Sequence, residues 1–185
     1  MDDGNALLQL KNGDINGLVH LISKYQIKAI RTAFLVTRDK QMSEDVVQDS
    51  FVNFYNNIRF FDDSRPFEPY FMVCVVNAAL SASKRVNRLL PFHQTEDDAD
   101  FERLLFQSES VESQVEKSQL RTEMLSLLAT LSPRQRAVLV QRYYLQMSEK
   151  EMTEASKTAP GTIKWLLNNA RTKLRALIEM ERNEG

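Results

Sequence analysis

The sequence predicts an all-α protein of two small helical domains joined by a flexible acidic linker. Three observations carry that expectation. Apolar residues recur at three- and four-residue intervals through both halves of the chain, which is the period of a one-sided helix. No apolar/polar alternation survives over several residues, and no glycine-rich phosphate loop is present. Between the halves, residues 93–116 hold eight acids (Glu96, Asp97, Asp98, Asp100, Glu102, Glu109, Glu112, Glu116) against the single base Arg103.

The first helix follows Gly13-Asp14. Leu18, Leu21, Ile22, Tyr25, Ala29, Ala33 and Val36 give it one apolar face, running to about Thr37. Ser43 then offers an N-cap side chain, with Glu44 and Asp45 in the first turn where the helix dipole favours anions. Val47, Phe51, Phe54 and Ile58 keep the period of this second helix and leave Asp45, Gln48, Asp49, Val52 and Asn56 on another face. Two prolines and Asp62-Asp63-Ser64 between Phe60 and Pro69 stop it. A third helix starts near Glu68 or Tyr70 and ends in Lys84-Arg85-Val86-Asn87-Arg88, where the bases suit a helix C-terminus.

The second half is punctuated more sharply. Leu120, Met124, Leu127 and Leu128 make Glu116 to Ala129 amphipathic, and Ser132-Pro133 reads as the N-cap and first residue of the next helix. Ala137, Val138, Leu139, Val140 and Tyr143 supply its apolar side. Ser148 caps a short helix, with Glu151 at the capping-box spacing. Thr158-Ala159-Pro160-Gly161 opens the last helix, whose core stripe is Ile163, Leu167, Ala170, Leu174 and Leu177. Opposite it run Lys164, Asn168, Arg171 and Arg175, with Trp165 and Asn169 beside them. A short helix, a tight turn and a third helix presenting a polar, basic stripe form a helix-turn-helix layout that suits a DNA groove.

Composition limits the function classes. The net charge of −1 conceals a balance of +5 over residues 117–185, so bases concentrate in the helix-turn-helix half. A single cysteine, Cys74, rules out an intramolecular disulfide and a cysteine-based zinc site, and its apolar neighbours read it as a buried thiol. His20 and His93 stand apart, so no metal, cofactor or catalytic set is expected. The longest apolar runs, such as Phe71 to Val76, are far below the roughly 18 residues of a membrane span, and the polar N-terminus does not read as a signal peptide. The expected location is the cytoplasm, without membrane insertion.

The residues then point to a family. Ser43-Glu44-Asp45-Val46-Val47-Gln48-Asp49-Ser50-Phe51 resembles the region 2 signature of extracytoplasmic-function (group IV, sigma-70 superfamily) sigma factors of bacterial RNA polymerase. Leu131 to Arg136, with Pro160-Gly161-Thr162-Ile163-Lys164 and Ala170-Arg171, resembles region 4. The resemblance implies a region 2 helical bundle over 1–92, an acidic linker over 93–115 and a region 4 helix-turn-helix over 116–185. It implies a non-enzymatic protein that binds the polymerase core (beta and beta-prime subunits) and promoter DNA, held by an anti-sigma factor or another regulatory protein.

The same resemblance assigns roles. Asp45, Gln48, Asp49 and Asn56 would dock on the polymerase clamp, where an acidic face confers orientation more than raw affinity. The loop from Phe61 to Pro69, through Phe61, Asp63, Ser64 and Phe67, would hold an extruded minus-ten base with Asn77 nearby, and Lys84, Arg85 and Arg88 would meet phosphates. Thr162, Lys164, Trp165, Asn168, Asn169 and Arg171 would face the minus-thirty-five element, with Trp165-Leu166 standing where the family commonly has Ser-Arg. From the residues alone two other readings stay open: a helix-turn-helix regulator acting without polymerase, and a sigma-like adaptor placed on DNA by a partner.

Overall fold

The computed structural model describes residues 2–86 and 124–184, and every regular element among them is helical. Arg88, the linker over 93–115 and most of the helix read from Glu116 lie outside the described residues. The first module comprises α1 (Asp3–Lys11), α2 (Asn16–Thr37), α3 (Lys40–Asn56) and α4 (Phe67–Val86), with α2 packed against the other three. Helix α1 precedes the pattern read from Asp14 onward. Asp2 caps it by accepting the Asn5 N–H at 2.8 Å, and Ala6, Leu7 and Leu10 bury its inner face. At Gly17 a Cβ would stand 2.1 Å from the Ala6 carbonyl oxygen, so only glycine permits this approach of α2 to α1.

The cap of α3 differs from the expectation. Arg38 takes the left-handed conformation that closes α2, with φ 60° and its N–H on the Phe34 carbonyl. Asp39 follows at once, and its carboxylate accepts the Met42 N–H at 2.7 Å, so the helix starts a turn before Ser43. Ser43 is instead fully buried, its hydroxyl bonded to the Thr37 hydroxyl at 2.8 Å and to the Asp39 carbonyl. Glu44 and Asp45 therefore lie beyond the first turn. At the far end α3 stops at Asn56, and a 3₁₀ turn over Ile58–Phe60 drops Ile58 into the core in place of another helical turn.

Aromatic rings fill much of this core. Phe54 meets Phe67 at a ring separation of 4.9 Å and Phe61 at 5.5 Å, Phe51 meets Phe71 at 4.3 Å, and Tyr25 closes on Phe67 at 5.3 Å.

The second module holds helical residues 124–129, α5 (Pro133–Leu139), α6 (Glu149–Ser156) and α7 (Pro160–Glu184). Ser132 and Ser148 cap α5 and α6 as read, and each closes a full capping box, with Gln135 and Glu151 respectively. A π turn over Val140–Tyr144 follows α5, closed by the Leu145 N–H on the Val140 carbonyl at 2.9 Å. This widened turn corrects the reading of Tyr143, which faces solvent at 59 % exposure, while Tyr144 packs on the first module.

Nor are the modules held apart. Ala137 and Val140 join the first module's core, while Val138 and Leu139 on the other side of α5 meet Leu131, Met152, Ile163, Leu167 and Ala170. Helix α5 is thus buried on two faces, one in each core.

Candidate functional site

Three surfaces carry the residues singled out in the sequence. On α3, Val46, Val47, Ser50, Phe51 and Phe54 are buried, and this phase turns Asp45, Gln48, Asp49 and Asn56 together to solvent. Val52, half exposed, and Tyr55 lie among them, so the acidic and amide groups share their face with apolar surface. The Gln41 side-chain amide donates to Asp45 at 3.0 Å.

The loop after α3 is rigidly built, but not as expected. Phe61 is 7 % exposed and Phe67 2 %, both within the aromatic cluster, so neither ring is presented to a base. The adjacent aromatics at 60 and 61 explain the difference. With the backbone leaving the helix only one of them can point inward, and Phe61 takes the pocket between Phe54 and Tyr70. Phe60 is left 87 % exposed, a position that helical periodicity could not assign because the chain is no longer α-helical there.

Polar side chains fix the rest of the loop. Asp62 accepts from the Ser64 hydroxyl at 2.7 Å and the Ser64 N–H at 3.0 Å, and these bonds hold its carboxyl below the ordinary aspartate range. Asp63 pairs with Lys11 at 2.7 Å, and the same ammonium donates to the Phe61 carbonyl at 3.0 Å. Lys84 and Arg85 are exposed in the last turn of α4, placed as the sequence suggested.

Asn77 does not stand open beside that loop. Its side-chain amide donates to the Ala155 carbonyl of α6 at 3.3 Å, across a cleft of about 1060 Å³ between the modules. Tyr70 and Cys74 line the first module's side of the cleft, and Met147 and Glu151 line the other. Burial pushes the Cys74 thiol up, so it remains protonated at neutral pH.

On α7 the core stripe read from the sequence buries Ile163, Leu167 and Ala170 but leaves Leu174 and Leu177 half-buried, and Thr162, Lys164, Trp165 and Asn168 are exposed while Asn169 is half-buried. Two details depart from a simple DNA-facing row. Arg171 donates through Nε to the Tyr143 hydroxyl at 2.8 Å and lies over that ring at 5.7 Å. The Thr162 N–H donates to the Ala159 carbonyl at 2.9 Å, so it is already engaged and not offered to a phosphate. Among the described residues no group of His, Cys, Asp or Glu could hold a metal ion, and no helix is long and apolar enough to cross a membrane.

The comparisons fit both modules in order. Residues 21–89 match Sigma-70 region 2 and residues 121–174 match Sigma-70, region 4, together about two thirds of the chain. The extracytoplasmic-function (ECF) RNA polymerase sigma factor SigW of Bacillus subtilis (strain 168) is 24 % identical over 174 residues, covering 90 % of this chain and 91 % of that protein. The RNA polymerase sigma-E factor of Streptomyces avermitilis is 25 % identical over 172 residues, covering 92 % and 89 %. CnrH, solved in complex with the cytosolic domain of CnrY, superposes with a TM-score of 0.62 at 20 % identity over 96 % of this chain and 97 % of its own. RpoE of Bartonella quintana, solved with the anti-sigma factor NepR, gives 0.60 at 16 % identity over 86 % and 95 %. With an acidic-faced region 2 helix and a region 4 helix-turn-helix in the family's order, this chain belongs to the sigma-70 family and is of the extracytoplasmic-function type.

Proposed function

We infer that this protein binds the RNA polymerase core and directs promoter-specific initiation, reading the minus-ten element with the module over 1–92 and the minus-thirty-five element with that over 116–185. The observation that carries the reading is the pairing, in one chain, of two sigma-70 regions with a solvent-facing acidic stripe on α3 and an exposed polar stripe on α7. Sigma-70 factors are initiation factors, not enzymes, and this one works in the cytoplasm. Asp45, Gln48, Asp49 and Asn56 meet the clamp. Asp63, Ser64 and Asn77 meet the minus-ten strand, Lys84 and Arg85 its phosphates, and Lys164, Trp165 and Asn168 the upstream element.

Relatives were solved with CnrY and with an anti-sigma factor, so a regulatory protein of that kind is the natural third partner. For Asn77 to reach DNA, α6 must leave it, because the Asn77 amide is occupied by Ala155 in the packed arrangement. The test is transcription by reconstituted holoenzyme on a random promoter library. Initiation that needs both the core and this protein, at a small set of sequences, is expected. Specific duplex binding without core would instead mark an independent helix-turn-helix regulator.

A further inference from the structure

Hydrogen bonds as well as apolar packing join the two modules. The Asn77 amide of α4 donates to the Ala155 carbonyl of α6 at 3.3 Å, and Arg136 of α5 donates through Nε to the Val36 carbonyl near the end of α2 at 2.7 Å. Apolar side chains close the same boundary. Ala137 and Val140 are buried in the first module's core, and Tyr144 and Leu145, at the end of the π turn and just after it, pack against that core half-buried.

This packing covers the proposed sites unequally. Asp45, Gln48, Asp49 and Asn56 on α3 stand in solvent, and so do Lys164, Trp165 and Asn168 on α7. Asn77 is half-buried and engaged by the opposite module. The face assigned to the polymerase is thus open in the packed arrangement, while the amide assigned to the minus-ten strand is not.

The boundary is also built so that it can part. Arg136 is 7 % exposed, and no carboxylate among the described residues forms an ion pair with it. Its hydrogen bonds go to the neutral carbonyls of Val36 and Leu131, and the charge of Arg38, itself buried, lies near enough to oppose its own. A guanidinium buried without a counter-charge carries a desolvation penalty that neutral carbonyls offset only in part, and parting the modules returns it to water.

We propose that this packing is a self-closed state of the free protein, in which α6 masks Asn77 until the α3 face has engaged the polymerase core. The proposal rests on the sigma-factor reading above and adds an order of events to it: docking on the clamp first, parting of the modules second, capture of the minus-ten strand last. The closed state needs no second protein to hold it, because all of these contacts lie within one chain.

The experiment compares the free full chain with holoenzyme, each titrated against a fluorescent duplex pool carrying a random-sequence mismatched bubble upstream of the start site. Two variants loosen the boundary independently: Arg136→Met, and the double change Tyr144→Ala, Leu145→Ala at half-buried positions. In the free chain each variant is expected to bind the pool about tenfold more tightly than wild type, the gain that a tenfold rise in a minor open population gives. In holoenzyme, where core has already parted the modules, all three proteins bind within about threefold of one another. A gain confined to the free chain is not the mark of a damaged fold, which weakens both samples. Should Arg136→Met fail to fold by circular dichroism, the double variant decides. Free variants that bind no better than free wild type, or free wild type that binds as tightly as holoenzyme, overturn the closed state. Wild-type protein that does not bind core, or whose holoenzyme ignores the pool, defeats the sigma-factor reading instead.

Discussion

Arg136 of α5 donates through Nε to the carbonyl of Val36 at 2.7 Å, so a guanidinium from region 4 caps the C-terminus of the longest region 2 helix described. The Val36 carbonyl is one of the last four in α2, which have no partner within the helix, and a cation there also complements the helix dipole. A second bond, from Nη1 to the Leu131 carbonyl at 2.7 Å, holds the start of α5. Burial, reinforced by the nearby charge of Arg38, pushes the Arg136 pKa down to about 10, which still leaves it charged at neutral pH. Arg136→Met should cost about 1–3 kcal/mol of stability, because two buried carbonyls lose their donor. Urea unfolding monitored by circular dichroism measures it. Arg136→Lys should restore only part, since one ammonium does not reproduce the fork that spans both carbonyls; an unchanged midpoint in Arg136→Met would show that the cap contributes nothing.

The α3 face can be separated from the fold it stands on. Asp45 and Gln48 are exposed, so the double change Asp45→Ala, Gln48→Ala should alter stability by no more than about 0.5 kcal/mol. Retention of core polymerase by the immobilised protein should nevertheless drop clearly. Wild-type retention by the folded double variant would remove these side chains from the docking surface.

The capping box on α6 predicts a pH dependence. Bonds from the Ser148 hydroxyl and the Ser148 N–H hold the Glu151 carboxyl below the ordinary glutamate range. A depressed pKa means that the native state favours the ionised form, so this stabilisation is complete above the ordinary glutamate value and disappears as pH falls through the lowered one. Thermal unfolding from pH 7 down to pH 3 should therefore lose more stability in the wild type than in Glu151→Gln, which keeps an acceptor at the same position but does not titrate. Parallel profiles for the two proteins would count against the cap's contribution.

Trp165 and Leu167 offer a contrast on one helix. Leu167 is 1 % exposed and belongs to the core, so Leu167→Ala should lower stability by about 2–5 kcal/mol. Trp165 is 62 % exposed, and Trp165→Ala should stay within about 0.5 kcal/mol while weakening upstream-element binding by the holoenzyme. Trp165 is the sole tryptophan of the chain, so its emission reports the wild-type contact directly on adding promoter DNA. An emission unaltered by DNA, with normal transcription by Trp165→Ala, would take this residue out of the interface.

Much of this protein was determined locally. The apolar periodicity of α2, α3 and α7 follows from side chains three and four apart sharing a helix face, and it turned Asp45, Gln48, Asp49 and Asn56 outward before any partner helix was known. The capping boxes at Ser132 and Ser148 are equally local, because donor and acceptor lie three residues apart. The cap read at Ser43 failed because it depends on where the preceding helix ends: the left-handed turn at Arg38 closes α2 and gives the N-cap to Asp39.

The tertiary structure decided what depends on residues distant in the chain. Phe60 and Phe61 have the same side chain, and only the aromatic cluster built by Phe54, Phe67 and Tyr70 determines which of them is buried. Asn77 meets Ala155 across 78 residues, and Arg136 meets Val36 across 100. No periodicity or cap encodes such pairs, because their geometry exists only once α5 has buried one face in each core.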